Sequence, residues 1–133
     1  MLLIIQARTS SKRFPNKVLY KLNQKPIIVH VIDRLKKSLF KNTIVVSTSK
    51  NKSDDILVKI LKKKNVKVFR GSLNNVAERL LKTANKYKKK IFVRVSADSP
   101  LIDVRILDKL INIFKKKKFR NHDIITNVFP KTF

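Results

Sequence analysis

The chain has no cysteine and no tryptophan, a single glycine, four prolines and only eight acidic residues among its 133. Each shortage excludes something. Without cysteine, neither disulfides nor thiolate metal sites can form. One glycine, Gly71, is too few for a glycine-rich phosphate loop of the dinucleotide-binding or P-loop kind, since both need several. A phosphate site built here must use side chains and ordinary backbone amides. No apolar run approaches the roughly 20 residues that a membrane-spanning helix needs. The start, Met1-Leu2-Leu3-Ile4-Ile5-Gln6, has no basic segment ahead of its short apolar run and does not read as a signal peptide. The expectation is a cytoplasmic protein with no membrane partner.

What is plentiful is positive charge: 33 lysines and arginines give a formal net charge of +25. Such a balance invites a nucleic-acid reading. Most of the charge is lysine, however, and it gathers in runs at 62–64, 88–90 and 115–118. These runs fall at the ends of expected helices, where cations suit the helix dipole. No zinc-finger spacing, helix-turn-helix pattern or RNA-binding signature accompanies them. They read as solvated surface, and nucleic acid is not expected as a partner.

The chain alternates short apolar runs with longer amphipathic ones. Strands are expected at 2–6, 43–48, 66–69, 91–95 and 123–126, where Val, Ile and Phe dominate runs too short for helices. Helices are expected at 26–39, 53–64, 74–87 and 103–116. Ile56, Leu57, Ile60 and Leu61 share one face of the second; Val76, Leu80, Leu81, Ala84 and Tyr87 line the third; Val104, Leu107, Leu110, Ile111 and Phe114 line the fourth. Pro26 opens the first, where its missing N–H costs nothing, and Ser53 and Asp103 are expected N-caps. The hydrophobic fraction of 43% suits one folded domain over 1–133. Alternating β and α elements predict an α/β fold: a three-layer, Rossmann-like, mostly parallel sheet with helices on both faces.

Ligands of such sheets bind where strands end and loops begin. The first strand runs into Gln6-Ala7-Arg8-Thr9-Ser10-Ser11-Lys12-Arg13-Phe14-Pro15-Asn16-Lys17. Arg8, Arg13 and Lys17 could surround the β- and γ-phosphates of a nucleotide, the arginines as planar forks and the lysine as a point charge. Ser10, Ser11 and backbone amides can add hydrogen bonds, and Pro15 stiffens the loop. Lysine is everywhere in this chain, but arginine is scarce, and two of the eight sit here. The other reading of this stretch is a solvent-exposed basic loop.

A second constellation, Arg94-Val95-Ser96-Ala97-Asp98-Ser99-Pro100-Leu101-Ile102-Asp103, follows another apolar strand and holds two of the eight acids. Asp98 at a strand end is placed to hold Mg2+, which typically takes one or two carboxylates with phosphate oxygens and water. It could also be a turn residue before Pro100. Asp103 reads as a helix cap. His30, among Ile28, Val29, Val31 and Ile32, reads as a packing histidine, and His122 carries no signal.

These stretches resemble the SpsF-like cytidylyltransferases, relatives of the CMP-sialic acid and CMP-KDO synthetases. The matching residues begin with Ile5-Gln6-Ala7-Arg8, Arg13-Phe14-Pro15-Asn16-Lys17-Val18-Leu19, Pro26 and His30-Val31-Ile32-Asp33-Arg34-Leu35. They continue with Ile44-Val45-Val46-Ser47-Thr48-Ser49, Val68-Phe69-Arg70-Gly71-Ser72, Val76-Ala77-Glu78-Arg79, the segment from Val93 to Asp103, and Asn127-Val128-Phe129-Pro130-Lys131-Thr132-Phe133.

The resemblance implies a nucleotidyltransferase of the GT-A-like α/β type. Such an enzyme transfers CMP from CTP to a sugar or sugar acid for surface polysaccharide, releasing pyrophosphate. It implies that Arg8, Lys17 and Asp98 carry the reaction, with Asp98 on Mg2+. Gln6, Ala7, Arg8, Ser10, Arg13 and Lys17 would hold the nucleotide, and Ser47 and Thr48 would lie by the base and ribose. Arg79 lies in a matching motif with no partner assigned. The family's glycines near Ser10 and Asn16 are missing, and Ala97 and Ser99 stand where relatives carry Gly and Cys. The chain also stops where relatives continue, so the resemblance implies the N-terminal half of a longer domain that can dimerise. Two other readings stay open: a catalytically incomplete nucleotide-binding module that needs a partner chain, and a basic nucleic-acid-binding protein.

Overall fold

The computed structural model describes residues 1–41, 43–116 and 122–127. Its centre is β1 (Leu2–Gln6), whose first four residues are fully buried. An unbroken Leu-Leu-Ile-Ile run suits a strand covered on both faces, as in a parallel sheet. β1 is flanked by β4 (Ile44–Ser49) and β6 (Phe92–Ser96), and β5 (Lys67–Gly71) lies outside β4. All three pairings are parallel. Gln6 lies opposite Ser47 on one side and Ser96 on the other, so the strands end together and their loops share one edge.

Helices cover both faces. Leu3, Ile5 and Val46 pack with α1 (Ile27–Leu35), α2 (Asp55–Lys63) and α4 (Val104–Lys115). Leu2, Ile4 and Val45 pack with Leu80 and Ala84 of α3 (Val76–Lys86). The alternation of β1 side chains between the two clusters is the period of two that a strand imposes. The expected three-layer α/β architecture is the one observed. Among the described residues, no helix is long and apolar enough to cross a membrane.

The departures have physical causes. Residues 123–126 form no strand: Ile124 is 81% exposed, and the run pairs with no strand among the described residues, so it cannot satisfy its backbone as one. The helix expected over 26–39 ends at Leu35, because the Ser38 hydroxyl and Leu39 amide are drawn to the Asp108 carboxylate of α4, at 2.5 and 3.1 Å. A short hairpin, β2 (Lys21–Leu22) and β3 (Lys25–Pro26), was not expected. Asn23 and Gln24 turn it with φ of 46° and 62°, the left-handed pair that a two-residue hairpin requires.

Asp103 caps α4 by accepting from the Arg105 amide at 2.8 Å. Ser53 does not cap α2. Asn51 accepts from the Ser53 amide at 2.9 Å and opens a 3-10 turn, Lys52–Asp54, ahead of that helix. Asp54 then stands at the cap position without capping, because its carboxylate is committed elsewhere. The lysine runs lie at the C-terminal ends of α2, α3 and α4 as far as the described residues reach; Lys117 and Lys118 lie outside them, as do Val128 to Phe133.

Candidate functional site

The loop from Gln6 to Lys17 leaves the C-terminal end of β1 and is stitched to both neighbouring strands. The Ala7 amide donates to Ser47 O, and the Gln6 carbonyl accepts from the Ala97 amide, each at 3.1 Å. Thr9 is the loop's anchor. It is 2% exposed, and its carbonyl accepts from the Ser11 and Asn16 amides at 2.9 and 2.8 Å, which closes the loop on itself. Asn16 takes φ 58°, the left-handed conformation that asparagine tolerates better than most residues. The loop thus turns without glycine and delivers Lys17 to the 3-10 turn Lys17–Leu19.

Asp54 holds that anchor. Its Oδ1 accepts from the Thr9 amide and hydroxyl, each at 2.7 Å. Its Oδ2 accepts from the Thr48 hydroxyl at 2.8 Å, the Ser49 amide at 3.0 Å and the Ser49 hydroxyl at 2.5 Å. The residue is fully buried. Burial alone would raise its carboxyl pKa, but the hydrogen bonds from Ser49, Thr9 and Thr48 outweigh it and hold the pKa below the ordinary value. Asp54 stays a carboxylate and ties the loop to the end of β4. No sequence pattern marks it, since Thr9 lies 45 residues away and an acid at a helix start looks like a cap.

Lys17 and Asp98, 81 residues apart in the chain, form an ion pair across the ends of β1 and β6. The Ser96 hydroxyl donates to the other oxygen of Asp98 at 2.5 Å. The Lys17 ammonium, then Ser96, hold the Asp98 carboxyl below its ordinary pKa. Both side chains keep about a third of their surface exposed, 29% and 33%, so the pair is reachable by a ligand. Arg8, Ser10 and Arg13 are exposed on the same loop, and Ala7 is buried.

Ser47 and Thr48 lie differently from expectation. Both are fully buried. The Ser47 hydroxyl meets that of Thr83 at 3.0 Å, and the Thr48 hydroxyl is spent on Asp54. Their strand is covered on both faces, so neither hydroxyl is presented to a ligand; they brace the site from within.

Arg79, in the first turn of α3, is also fully buried. Nη1 donates to the carbonyls of Ser72 and Leu73. A Cβ added to Gly71 would stand 2.8 Å from Arg79 Cγ, so the chain's one glycine makes room for the arginine stem. Burial lowers the guanidinium pKa; the Asp54 charge opposes this and the Arg8 charge adds to it. The guanidinium remains charged, as arginine does in proteins.

The arrangement is a basic loop with rigid backing, a lysine–carboxylate pair at its end, and a buried guanidinium in the first turn of α3. The cytidylyltransferase family model matches residues 2–131. The chain belongs to the cytidylyltransferase family. It is 35% identical over 84% of its length to the spore coat polysaccharide biosynthesis protein SpsF of Bacillus subtilis, and covers 48% of that protein. It is 34% identical over 97% of its length to the 3-deoxy-manno-octulosonate cytidylyltransferase of Wigglesworthia glossinidia brevipalpis, covering 52% of it. A solved cytidylyltransferase from Leptospira borgpetersenii superposes on 99% of the chain with a TM-score of 0.87 and 38% identity, over 55% of its own length. The chain thus spans about half the length of the relatives it matches.

Within this family frame the missed residues are Thr9 and Asp54. Thr9 lies within the Gln6–Lys17 loop with no role expected of it, Asp54 lies outside both constellations, and the chemistry of both is internal.

Proposed function

We propose that the chain binds the Mg2+ complex of CTP on the loop from Gln6 to Lys17 and serves the transfer of CMP to a sugar or sugar acid. The observation that carries this reading is the Lys17–Asp98 pair, which sets a cation and a carboxylate side by side at the end of a basic loop. Arg8 and Arg13 are exposed forks that suit phosphate oxygens, and Ser10 and backbone amides add donors.

Among the described residues, no group of three or more His, Asp and Glu side chains could enclose a metal. A single carboxylate with phosphate oxygens and water is nevertheless a common environment for Mg2+, which leaves Asp98 a fitting ligand for a metal that arrives with the nucleotide. Such an ion would neutralise phosphate charge and orient the α-phosphorus.

In the transfer, an acceptor hydroxyl oxygen forms a bond to the α-phosphorus while the bond to the β-phosphate oxygen breaks. Pyrophosphate leaves and the hydroxyl proton passes to solvent. Arg8, Arg13 and Lys17 would stabilise the charge that builds on the departing pyrophosphate, and catalysis would rest on positioning and electrostatics. The acceptor class comes from the names of relatives about twice this length, so for this chain the nucleotide site is the core of the proposal.

Isothermal titration with CTP and Mg2+ tests it. Saturable binding, weakened at least about tenfold by Arg8→Ala or Lys17→Ala as a charge-assisted contact is lost, is expected. No binding at millimolar CTP overturns it.

A further inference from the structure

In a parallel sheet each crossover helix runs back against the strands. The C-terminal ends of α1 to α4 therefore gather where the strands begin, at the end opposite the loop from Gln6 to Lys17. The lysine runs share that end, and direct contacts join them. Met1, Ile91 and Phe114 line a cavity of about 590 Å3 together with Lys88 to Lys90 and Lys115. Lys115 Nζ stands 4.1 Å from the centre of the Phe40 ring, which follows α1, and Lys67 Nζ stands 5.7 Å from that of Tyr87, at the end of α3. The Val66 amide donates to Leu61 O at 3.0 Å, which folds the end of α2 toward the start of β5. The lysines at 36–37, 62–64, 88–90 and 115–116 thus belong to one continuous end, and all are exposed.

Acidic residues gather at the other end: Asp54, Asp55, Glu78, Asp98 and Asp103 follow strands or start α2, α3 and α4. Asp33 pairs with Lys25 at 2.9 Å, and Asp108 is taken by Ser38 and Leu39. Among the described residues, the ion pairs engage Lys17, Lys25, Arg70, Lys82 and Arg105, and no lysine of the basic end. The helix dipole accounts for cations in a last turn, where its field is felt. It does not account for Lys88 to Lys90, which lie beyond α3. Lys88 even takes φ 52°, the left-handed position after a helix that glycine or asparagine usually fills, as Asn65 does after α2 at 54°.

Ile91 and Leu39 stand out among these lysines, 48% and 76% exposed. Lysine with protruding apolar residues is the composition of a surface that settles into the headgroup layer of an anionic bilayer. Nucleic acid suits this end less. Single-strand binders stack bases on open rings, whereas Phe40, Tyr87 and Phe114 are half-buried here, the first two beneath lysines. A second copy of the chain would set like charge against like.

We propose that this end of the molecule docks on an anionic lipid surface, with its lysines at the headgroup phosphates and Ile91 and Leu39 at the boundary with the acyl chains. The expectation of no membrane partner rested on the lack of a spanning run, and a surface contact needs none. The docked molecule turns the loop from Gln6 to Lys17 toward solvent, so this inference stands apart from the nucleotide reading.

Flotation of the 133-residue chain with phosphatidylcholine vesicles, with and without about 30 mol% phosphatidylglycerol, tests it. Binding to the anionic vesicles alone is expected, as is its loss when salt rises from about 0.05 to about 0.5 M. The triple change Lys88→Gln, Lys89→Gln, Lys90→Gln should weaken binding by about 100-fold, roughly fivefold for each lysine near the surface. The triple change Lys21→Gln, Lys50→Gln, Lys52→Gln removes the same charge at the other end and should leave binding within about twofold, because those lysines stand beyond a Debye length from the lipid. Equal losses in the two variants would mean that net charge rather than this end attracts the vesicles, which overturns the proposal. So does the absence of binding to the anionic vesicles. Binding of a mixed-sequence RNA that the change at 88–90 abolishes, with vesicles left unbound, assigns the end to nucleic acid and overturns it as well.

Discussion

Asp54 accepts both the amide and the hydroxyl of Thr9 through one oxygen, each at 2.7 Å, and so fixes the loop after β1 to the end of β4. The other oxygen takes Thr48 and Ser49 from β4 itself. A single buried carboxylate thus braces a loop that contains no glycine.

Removing that carboxylate strands buried donors from both segments. Asp54→Ala is expected to cost about 3 kcal/mol or more, since each buried donor left unpaired costs about 1–3 kcal/mol. Thr9→Val removes only the hydroxyl and should cost about 1 kcal/mol. Urea unfolding monitored by circular dichroism reads both. Thr9→Val should also weaken CTP binding although Thr9 is buried; an unchanged affinity would separate the anchor from the site.

Lys17 and Asp98 neutralise each other across two strand ends. The pair is partly exposed, so its worth to stability is small, about 1 kcal/mol or less. Asp98→Asn should therefore leave the melting temperature within a few degrees of wild type while abolishing the Mg2+ dependence of CTP binding. A melting temperature that collapses, or a Mg2+ dependence that survives, would show that Asp98 has another task.

The parts of this molecule with local causes were legible in its sequence. β1 and the helices follow from apolar runs and helical spacing, because burial on a regular element imposes a period. The loop's arginines and lysine stood out because they follow a buried strand. Asp54 did not stand out, since everything it binds except Thr48 and Ser49 is far away in the chain. Ser47 and Thr48 were expected by the base and ribose only through the family resemblance; here helices close both faces of their strand, and the hydroxyls turn inward. The hairpin from Lys21 to Pro26 was hidden by its two-residue strands, too short to show an alternation.

Gly71 and Arg79 form a matched pair of opposite size. A methyl group at Gly71 would sit 2.8 Å from Arg79 Cγ and 3.1 Å from the Phe69 ring, and the arginine is enclosed on every side. Gly71→Ala should cost about 1–3 kcal/mol through overpacking. Pairing it with Arg79→Ala should cost less than the sum of the two single changes, because the shorter side chain yields the space. Additive losses in a double-mutant cycle would mean that the alanine is accommodated by the Phe69 side instead.

Acid should loosen the loop before it loosens the core. Asp54 and Asp98 both have folded-state pKa values below the reference of 3.8, Asp54 through its hydrogen bonds and Asp98 chiefly through Lys17. A depressed carboxylate contributes stability that is fully present above the unfolded value and is lost as pH falls through the folded one. Between pH about 7 and about 5 these two groups leave the melting temperature flat; below about 4 they make it fall. Asp54→Asn should start from a lower melting temperature and show a shallower acid limb, since its carboxyl no longer titrates. Asp98→Asn should flatten the limb less, because its pair is partly solvated. Melting curves at stepped pH, followed by circular dichroism, measure the three slopes; an acid limb that is equally steep in wild type and Asp54→Asn would place the acid sensitivity outside the Thr9–Asp54 anchor.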